Sequence, residues 1–406
     1  MRELSDHAFT KRVVITGTGI ISPGGCDRES CFDSLVARRS LVRRIDRFDP
    51  SAHGSQIAAQ VECFEGHSLH PDRHVAFAIA STQQALCQAG LTHRPARARI
   101  GTAFATAIAG TERMEKSYRR NGGNAFDAFR FSTVSEVVAR QFGLGGPNLS
   151  VTTGCTAGLD AIGIAFDQIR LGRADAMVVG AADSPIVPIV VASFDQIGAL
   201  SRRNDRPEAA SRPFDRDRDG FILGEGGAAL VLESSDHSRQ RGAAPLAEIL
   251  GWNSVSSAFH MTSMRTNGAD ISRAINGALR VAGVAPESID LLDLHATSTK
   301  INDRSEAAAV HRCFGPDGGK IAVMAQKSVL GHALGASNTI ELVGCVEALR
   351  RGMVPPVANL DNLDPDCPVN AVRDVPLLGN FRHLVKVSSG FSGIHTALVL
   401  RRSEVA

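Results

Sequence analysis

Aromatic side chains are scarce in this 406-residue chain: they make up 5% of it, with one tryptophan and one tyrosine. A core of stacked rings is therefore excluded, and 39 glycines point instead to close backbone packing. An excess of one charge is missing too. Lys and Arg number 44 against 42 Asp and Glu, so no general affinity for nucleic acid follows from the net charge of +2. No run approaches the roughly 18 uninterrupted apolar residues of a membrane span. Met1 to Arg12 is mixed and charged, without the apolar stretch of a secretory signal. The eight cysteines are scattered singly, and Cys26 and Cys31 lack metal-ligand spacing. Buried, reduced cysteines and a cytoplasmic location are the expectation.

What the chain does have is apolar bulk and repetition. At 43% hydrophobic it can bury a large core, divided between two similar lobes. Thr153-Gly-Cys-Thr-Ala-Gly-Leu159 is echoed by Leu330-Gly-His-Ala-Leu-Gly-Ala336: a glycine precedes a reactive side chain and another follows it by three residues. Gly220-Phe221 leading to Ala229–Leu232 is echoed by Gly390-Phe391 leading to Ala397–Leu400. The echoes are offset by 177 (332 − 155) and 168 (397 − 229) residues, which predicts a duplicated unit of domain size rather than a solenoid. Halves related by a pseudo-twofold axis would turn a thiol at one helix start toward an imidazole at the other.

Local patterns agree with α/β architecture. Val13-Val-Ile-Thr-Gly17 reads as a strand stopping at glycine, residues 73–90 as a helix, Ala174–Ala182 as a central buried strand, and Gly101–Gly110 as a small-residue run near a pocket or interface. The polar stretch Ser234–Ala244 is the expected hinge between lobes 12–244 and 245–402. Gly17-Thr-Gly19 resembles the opening of a dinucleotide-binding unit, but the third glycine and the acidic ribose partner are absent.

Cys155 follows the extended Leu149–Thr153 and opens a helical pattern running to Arg170. At a helix start, the dipole and free N–H groups lower a thiol's pKa and can hold an oxyanion. An inert buried cysteine is the alternative. His295 ends the apolar run Leu291-Leu-Asp-Leu, and His332 ends Lys327-Ser-Val-Leu-Gly. A nucleophile and two imidazoles are an enzyme's equipment; a zinc site from the same three residues is another reading, without a short-range ligand pair to support it.

These motifs resemble those of β-ketoacyl-acyl-carrier-protein synthases. Thr153-Gly-Cys155 resembles the family's nucleophile turn and Ser211-Arg-Pro-Phe-Asp-Arg-Asp-Arg-Asp-Gly-Phe221 its long shared signature. His295-Ala-Thr-Ser-Thr299 and Lys327-Ser-Val-Leu-Gly-His332 resemble the two histidine loops, and Gly390-Phe391-Ser-Gly393 the gating turn. Ser184–Asp195, His260–Arg265 and Thr299–Arg304 look closer to the catalytic ketosynthase subunit of type II polyketide systems. The resemblance implies a thiolase fold, two pseudo-symmetric lobes layered α-β-α-β-α. It implies a catalytic set of Cys155, His295 and His332, with Lys327 (paired with Glu341) and Phe391 in support. Thr297 and Thr299 would bind the phosphopantetheine arm, and Phe104 and Ile108 would wall the acyl tunnel.

The implied reaction is decarboxylative Claisen condensation of malonyl-carrier protein with an acyl chain on Cys155, with no metal or organic cofactor. The implied partners are an acyl carrier protein, met by the basic run Arg113, Lys116, Arg119 and Arg120, and a cysteine-less chain-length-factor-like homologue in a heterodimer; neither nucleic acid nor membrane is implied. A fatty-acid elongating synthase, working as a homodimer, is the nearest alternative, and a non-catalytic chain-length partner a further one. Ala296 and Ser392 stand where the family has glycine, which puts the backbone geometry at both turns in question.

Overall fold

The computed structural model describes residues 11–62, 64–92, 98–121 and 129–403. The main strands are β1 (Val13–Ile21), β2 (Ile100–Ala105), β3 (Asn148–Val151), β4 (Ala176–Asp183) and β5 (Gly226–Ser234), followed by β6 (Ala247–Ser256), β7 (Leu291–Asp293), β8 (Ala322–Met324), β9 (Asn370–Ala371), β10 (His383–Ser389) and β11 (Ile394–Arg402). The principal helices are α1 (Arg73–Gln88), α2 (Thr133–Phe142), α3 (Ala157–Arg170), α4 (Ala269–Ala282), α5 (Lys300–Phe314) and α6 (Ser337–Arg351).

Hydrogen bonding links the strands in the order β9-β8-β7-β10-β11-β6-β1-β5-β4-β2-β3. Outward from the central antiparallel pair β1–β6, the order β1-β5-β4-β2-β3 mirrors β6-β11-β10-β7-β8. Each half has two antiparallel pairings followed by two parallel ones. Strand β9 is an addition to one edge.

Two-residue alternation along the strands creates the layers. Ala228, Leu230 and Leu232 of β5 and Leu398 and Leu400 of β11 point into one cluster with α3 and α6. Ala229 and Val231 point the other way, toward α1 and α2. Ala397 and Val399 point toward α4 and α5. The result is helix, sheet, helix, sheet, helix, the layering implied by the resemblance. Each buried leucine, isoleucine or valine contributes about 1.5–3 kcal/mol relative to exposure, and both faces of each half of the sheet gain in this way.

The structure corrects the expected details of β1 and of the first echo. Strand β1 runs through Gly17 and Gly19 to Ile21 and forms no phosphate loop. A Cβ on Gly17 would lie 2.1 Å from the Ala85 carbonyl oxygen and one on Gly19 2.0 Å from that of Ser81. These glycines let α1 settle onto the strand. The tight turns Gly154–Thr156 and Leu334–Ala336, with the helices that follow them, are offset by 180 residues (334 − 154), not 177. Gly335, three residues past His332, is therefore the counterpart of Cys155. The second echo holds at 168 residues, because β5 and β11 are equivalent nine-residue strands. Cysteine usage meets the expectation at Cys31, Cys345 and Cys367, which are buried and free, and departs from it at Cys87, which is exposed, and Cys26, which is disulfide-bonded.

Helices α3 and α6 meet where Gly158 faces Gly335, and a Cβ on Gly158 would lie 2.6 Å from the Gly335 carbonyl oxygen. Gly158→Ala should therefore destabilise the protein by about 1–3 kcal/mol through overpacking. Thermal denaturation tests this, and an unchanged midpoint would contradict the close approach.

Candidate active site

Four turns converge on a cavity of about 410 Å³ whose lining includes Cys155, His295, Thr297, Thr299, His332 and Phe391. The sequence separates these residues widely; the layered fold collects them at one end of the central layer. A larger cavity of about 580 Å³ lies on the outer face by Pro286, Phe314 and Phe381, far from this set.

Cys155 occupies the tight turn between β3 and α3. Asp160, one turn into α3, accepts hydrogen bonds from the hydroxyls of Thr153, Thr156 (2.8 Å) and Thr396 (2.6 Å). The Cys155 carbonyl accepts from Asn338 Nδ2 at 2.6 Å and Ser388 Oγ at 3.4 Å. The Cys155 turn is thus tied to both halves of the molecule. Burial pushes the thiol up to about 11, against the pull of Lys327 and of the backbone N–H groups of Phe391 and Cys155. The depressed pKa expected from a helix start is not what the resting site has: desolvation exceeds those attractions. At neutral pH the resting group is the thiol.

His295 and His332 are both buried, their ring centroids 5.1 Å apart and nearly perpendicular at 86°. His332 is held on both sides. Its N–H donates to Ile222 O (2.7 Å), its carbonyl accepts from Gly224 N (2.9 Å), and Nδ1 lies 2.8 Å from Ser337 Oγ. Burial first, and then the Lys327 and Lys386 ammonium groups, hold both imidazoles well below the ordinary histidine value. They are neutral at pH 7, each with one N–H to donate.

The His295 turn is built on a buried carboxylate. Glu306 accepts from the N–H groups of His295 (2.6 Å) and Ala296 (2.7 Å) and from Asn302 Nδ2 (2.8 Å). Burial raises Glu306 to about 7 while these donors oppose the rise. Ala296 keeps a left-handed backbone (φ 48°) despite its Cβ, and Ser392 does the same (φ 72°), with its N–H on Met261 O at 2.6 Å. A left-handed non-glycine residue costs roughly 1–2 kcal/mol, so the surrounding bonds impose these conformations.

The Ser211–Phe221 signature buttresses the same turn. Arg218 pairs with Asp303 (3.3 Å) and Asp364 (2.7 Å), and the Arg212 N–H donates to Ser298 Oγ at 3.0 Å. These buried ions hold a loop, not a ligand.

Two family models match the chain: the β-ketoacyl synthase N-terminal domain over residues 10–238 and the C-terminal domain over residues 246–361. The chain belongs to the β-ketoacyl synthase family. Among curated relatives, a putative polyketide β-ketoacyl synthase 1 of Streptomyces halstedii is 42% identical, over 98% of this chain and 99% of its own length. The tetracenomycin polyketide synthase ketoacyl synthase alpha subunit of Streptomyces glaucescens is 40% identical, with coverage of 98% and 99%. A type II polyketide ketosynthase solved with its acyl-carrier protein and bound to the hexaketide superposes with a TM-score of 0.91 at 34% identity, over 97% of this chain and 100% of that one. This chain is thus a ketosynthase of the polyketide-extending type, an acyltransferase with a thiolase fold.

Other expected residues of the ketosynthase have different fates. Lys327 Nζ lies 2.5 Å from Glu341 Oε1, with both side chains buried behind the cavity. Thr297 and Thr299 face the cavity, their hydroxyls 3.0 Å apart. Phe391 lies 6.4 Å, ring to ring, from Phe194. Ile108 packs with Ile186, Val187, Val190 and Cys155 in one apolar cluster. Phe104 does not line the cavity. Strand alternation turns it outward onto Phe77 and Val134, while Ala103 and Ala105 face the central layer.

The basic run is largely neutralised: Lys116 pairs with Glu112 (2.6 Å), Arg119 with Glu115 (2.6 Å) and Arg113 with Asp72 (3.5 Å). Asp160, Asn338 and Glu306 went unread in the sequence. The only linear signal is an acidic residue a few positions after Cys155 or a turn into the helix after His295, which is too common to single out. Among the described residues, no group of three or more His, Cys, Asp or Glu is placed to hold a metal ion, and no helix is long and apolar enough to cross a membrane.

Intact-protein mass spectrometry after incubation with an acyl-carrier protein should show one acyl adduct on the wild type and none on Cys155→Ala. Equal adduct yield on that variant would place the nucleophile elsewhere.

Proposed function

We propose that Cys155 carries the growing chain as a thioester and that His295 and His332 act on the malonyl unit that extends it. The observation that supports this is the convergence of one thiol and two neutral, perpendicular imidazoles on one cavity, with the N–H groups of Cys155 and Phe391 at the sulfur.

In the first half-reaction the Cys155 sulfur attacks the acyl-carrier thioester. The oxyanion is held by those two N–H groups, and the departing pantetheine sulfur takes up the proton that the thiol gives up. Malonyl-carrier protein then enters past Thr297 and Thr299, with its thioester carbonyl accepting from the two imidazoles. Loss of carbon dioxide leaves its bonding electron pair as an enolate, whose charge those N–H donors stabilise. The enolate carbon attacks the Cys155 thioester, the new carbon–carbon bond forms, and Cys155 leaves to be reprotonated. The chain grows by two carbons. Lys327, fixed by Glu341, positions the site electrostatically from below, and Phe391 gates the acyl pocket. Each of these steps uses the chain's own groups and a substrate borne on phosphopantetheine.

The partners we propose are an acyl carrier protein and a chain-length-factor-like homologue forming a heterodimer, in the cytoplasm. Solved relatives support the kinds of partner: one is the complex with an acyl-carrier protein described above. Another, the ishigamide ketosynthase/chain length factor, superposes with a TM-score of 0.88 at 32% identity, over 97% of this chain and 100% of that one. We place the boundary between the two lobes in the 234–244 stretch, before β6 opens the second set of strands.

His295→Ala and His332→Ala should each lower carbon dioxide release from malonyl-carrier protein by on the order of 10²–10³, the usual cost of one oxyanion donor, while Cys155 still acylates. Unchanged carbon dioxide release in both would remove the imidazoles from the enolate step.

Tunnel geometry gives a separate expectation. Ala107 borders the Cys155 cluster, whereas Ala105 lies in the central core. Ala107→Trp should shorten the longest product, read by mass spectrometry with the partner subunit present, without preventing acylation. An unchanged product length would move the tunnel away from residue 107.

A further inference from the structure

Beneath the cavity lies a second buried ion pair for which the condensation as described has no use. Asp293 ends β7, two residues before His295, and Lys386 sits directly beside it on the neighbouring parallel strand β10, in register. Both side chains are fully buried, and Lys386 Nζ lies 3.0 Å from Asp293 Oδ2. The same ammonium reaches Glu341 Oε2 at 2.6 Å and the Val387 carbonyl at 3.2 Å. Glu341 thus divides its carboxylate, Oε1 to Lys327 and Oε2 to Lys386. Cys345, one turn further along α6, donates to Asp293 Oδ2 at 3.4 Å.

Two lysines and two carboxylates make a neutral quartet packed between β7, β10 and α6. A bare charge in such a place is prohibitive, whereas a balanced set is tolerated. The quartet adjoins the reacting groups through covalent structure. Asp293 continues through Leu294 into His295. Lys386 lies two residues before Ser388, whose hydroxyl donates to the Cys155 carbonyl.

We propose that Lys386 and Asp293 are positioning residues of the condensation: they set a second neutral pair beside the neutral Lys327–Glu341 pair and so help to set the field that Cys155 and the two histidines experience. Lys386 holds one oxygen of Glu341 and Lys327 the other; burial lowers the Lys327 ammonium and Lys386 adds to the fall, while the Glu341 and Asp293 carboxylates oppose it. Asp293 balances the charge that Lys386 brings. Other charged or titratable groups around the site are Asp160 and Asp183, near Cys155, Glu306 and His395, near His295, and the Cys345 thiol on Asp293; none of them carries one of the quartet's four charges. Burial opposes the Lys386 ammonium, but the Asp293 and Glu341 carboxylates outweigh it and hold that group well above the ordinary lysine range, in keeping with a permanent cation.

The test uses charge balance, which distinguishes a field effect from mere structural damage. Resting as it does on Cys155 being the acylated thiol, the experiment follows alkylation of Cys155 by iodoacetamide against pH, with the modified residue located by peptide mass spectrometry. Lys386→Met leaves the buried set one charge more negative and should move the alkylation profile to higher pH. Asp293→Asn leaves it one charge more positive and should move the profile to lower pH. Each displacement should be on the order of one pH unit for a buried charge at this range. The double variant restores neutrality and should return the profile to that of the wild type.

Equal displacement in the same direction by both single variants, or none by either, would overturn the positioning role. Should Lys386→Met fail to fold, Asp293→Asn against the double variant carries the same test, since their profiles must still differ. Alkylation mapped to a different cysteine would instead overturn the assignment of Cys155, leaving a distinguishable result.

Discussion

Burial of helix α6 between the two halves of the sheet is the constraint on which the site depends. Every residue from Ser337 to Leu349 is buried, and a polar group buried without a partner costs about 1–3 kcal/mol. The groups that satisfy this helix are the turns of Cys155 and His332 and the lysines behind the cavity. Ser337 meets His332, Asn338 holds the Cys155 carbonyl, and Glu341 takes both buried lysines. The bonds that satisfy the buried helix are thus the same ones that hold the cavity's turns in place. A substitution that loosens α6 would displace the thiol and an imidazole together, even where it touches neither.

Burial also decides the electrostatics. At a helix start in water, a thiol would be pulled toward thiolate by the dipole and nearby cations. Here the same low-polarity surroundings that sharpen the action of the N–H groups on an oxyanion penalise the resting anion more strongly. The two imidazoles follow the same logic with the opposite charge, since desolvation and two nearby ammonium groups both disfavour their cationic form. A site of neutral thiol and neutral imidazoles stores no net charge before substrate arrives. Its directed N–H groups find an anion only when the reaction creates one, which is the condition for stabilising the transition state more than the ground state.

The α/β class was legible because alternating strand and helix patterns are local signals, whereas the layering was legible only through the family resemblance. The second echo was legible because β5 and β11 occupy equivalent places and keep equivalent patterns. Cys155, His295 and His332 were legible through motif text and the glycine turns around them. What escaped the sequence was direction and depth. Phe104 looked like a tunnel wall because it lies in a small-residue run, yet strand parity alone sends its ring to the outer layer, where Gly180 on the adjacent strand makes room for it. The basic run around Lys116 looked free because its own acidic residues, one helical turn away, are easily overlooked in linear text. Asp160, Glu306 and Lys386 are ordinary charged residues until the fold buries them.

The two halves share a topology but divide the chemistry unequally, and the division occurs where their symmetry breaks. The position equivalent to Cys155 is Gly335, which packs against Asp183 and Gly154, with no room for a side chain. His332 stands three residues earlier, outside the equivalent turn, where an isolated bridge to Leu223 fixes it. A strictly symmetric duplication would have placed two like groups about the axis, giving a thiol facing a thiol or a histidine facing a histidine. Reducing one turn to glycine and moving the reactive residue upstream lets the helices approach closely while unlike groups share one cavity. The glycine at 335 is therefore as much a condition of the cavity as the cysteine at 155, because a Cβ there would lie 2.9 Å from Asp183 Oδ2, 3.0 Å from the Ala107 nitrogen and 3.2 Å from the Gly154 carbonyl oxygen, and would push against the turn that carries Cys155.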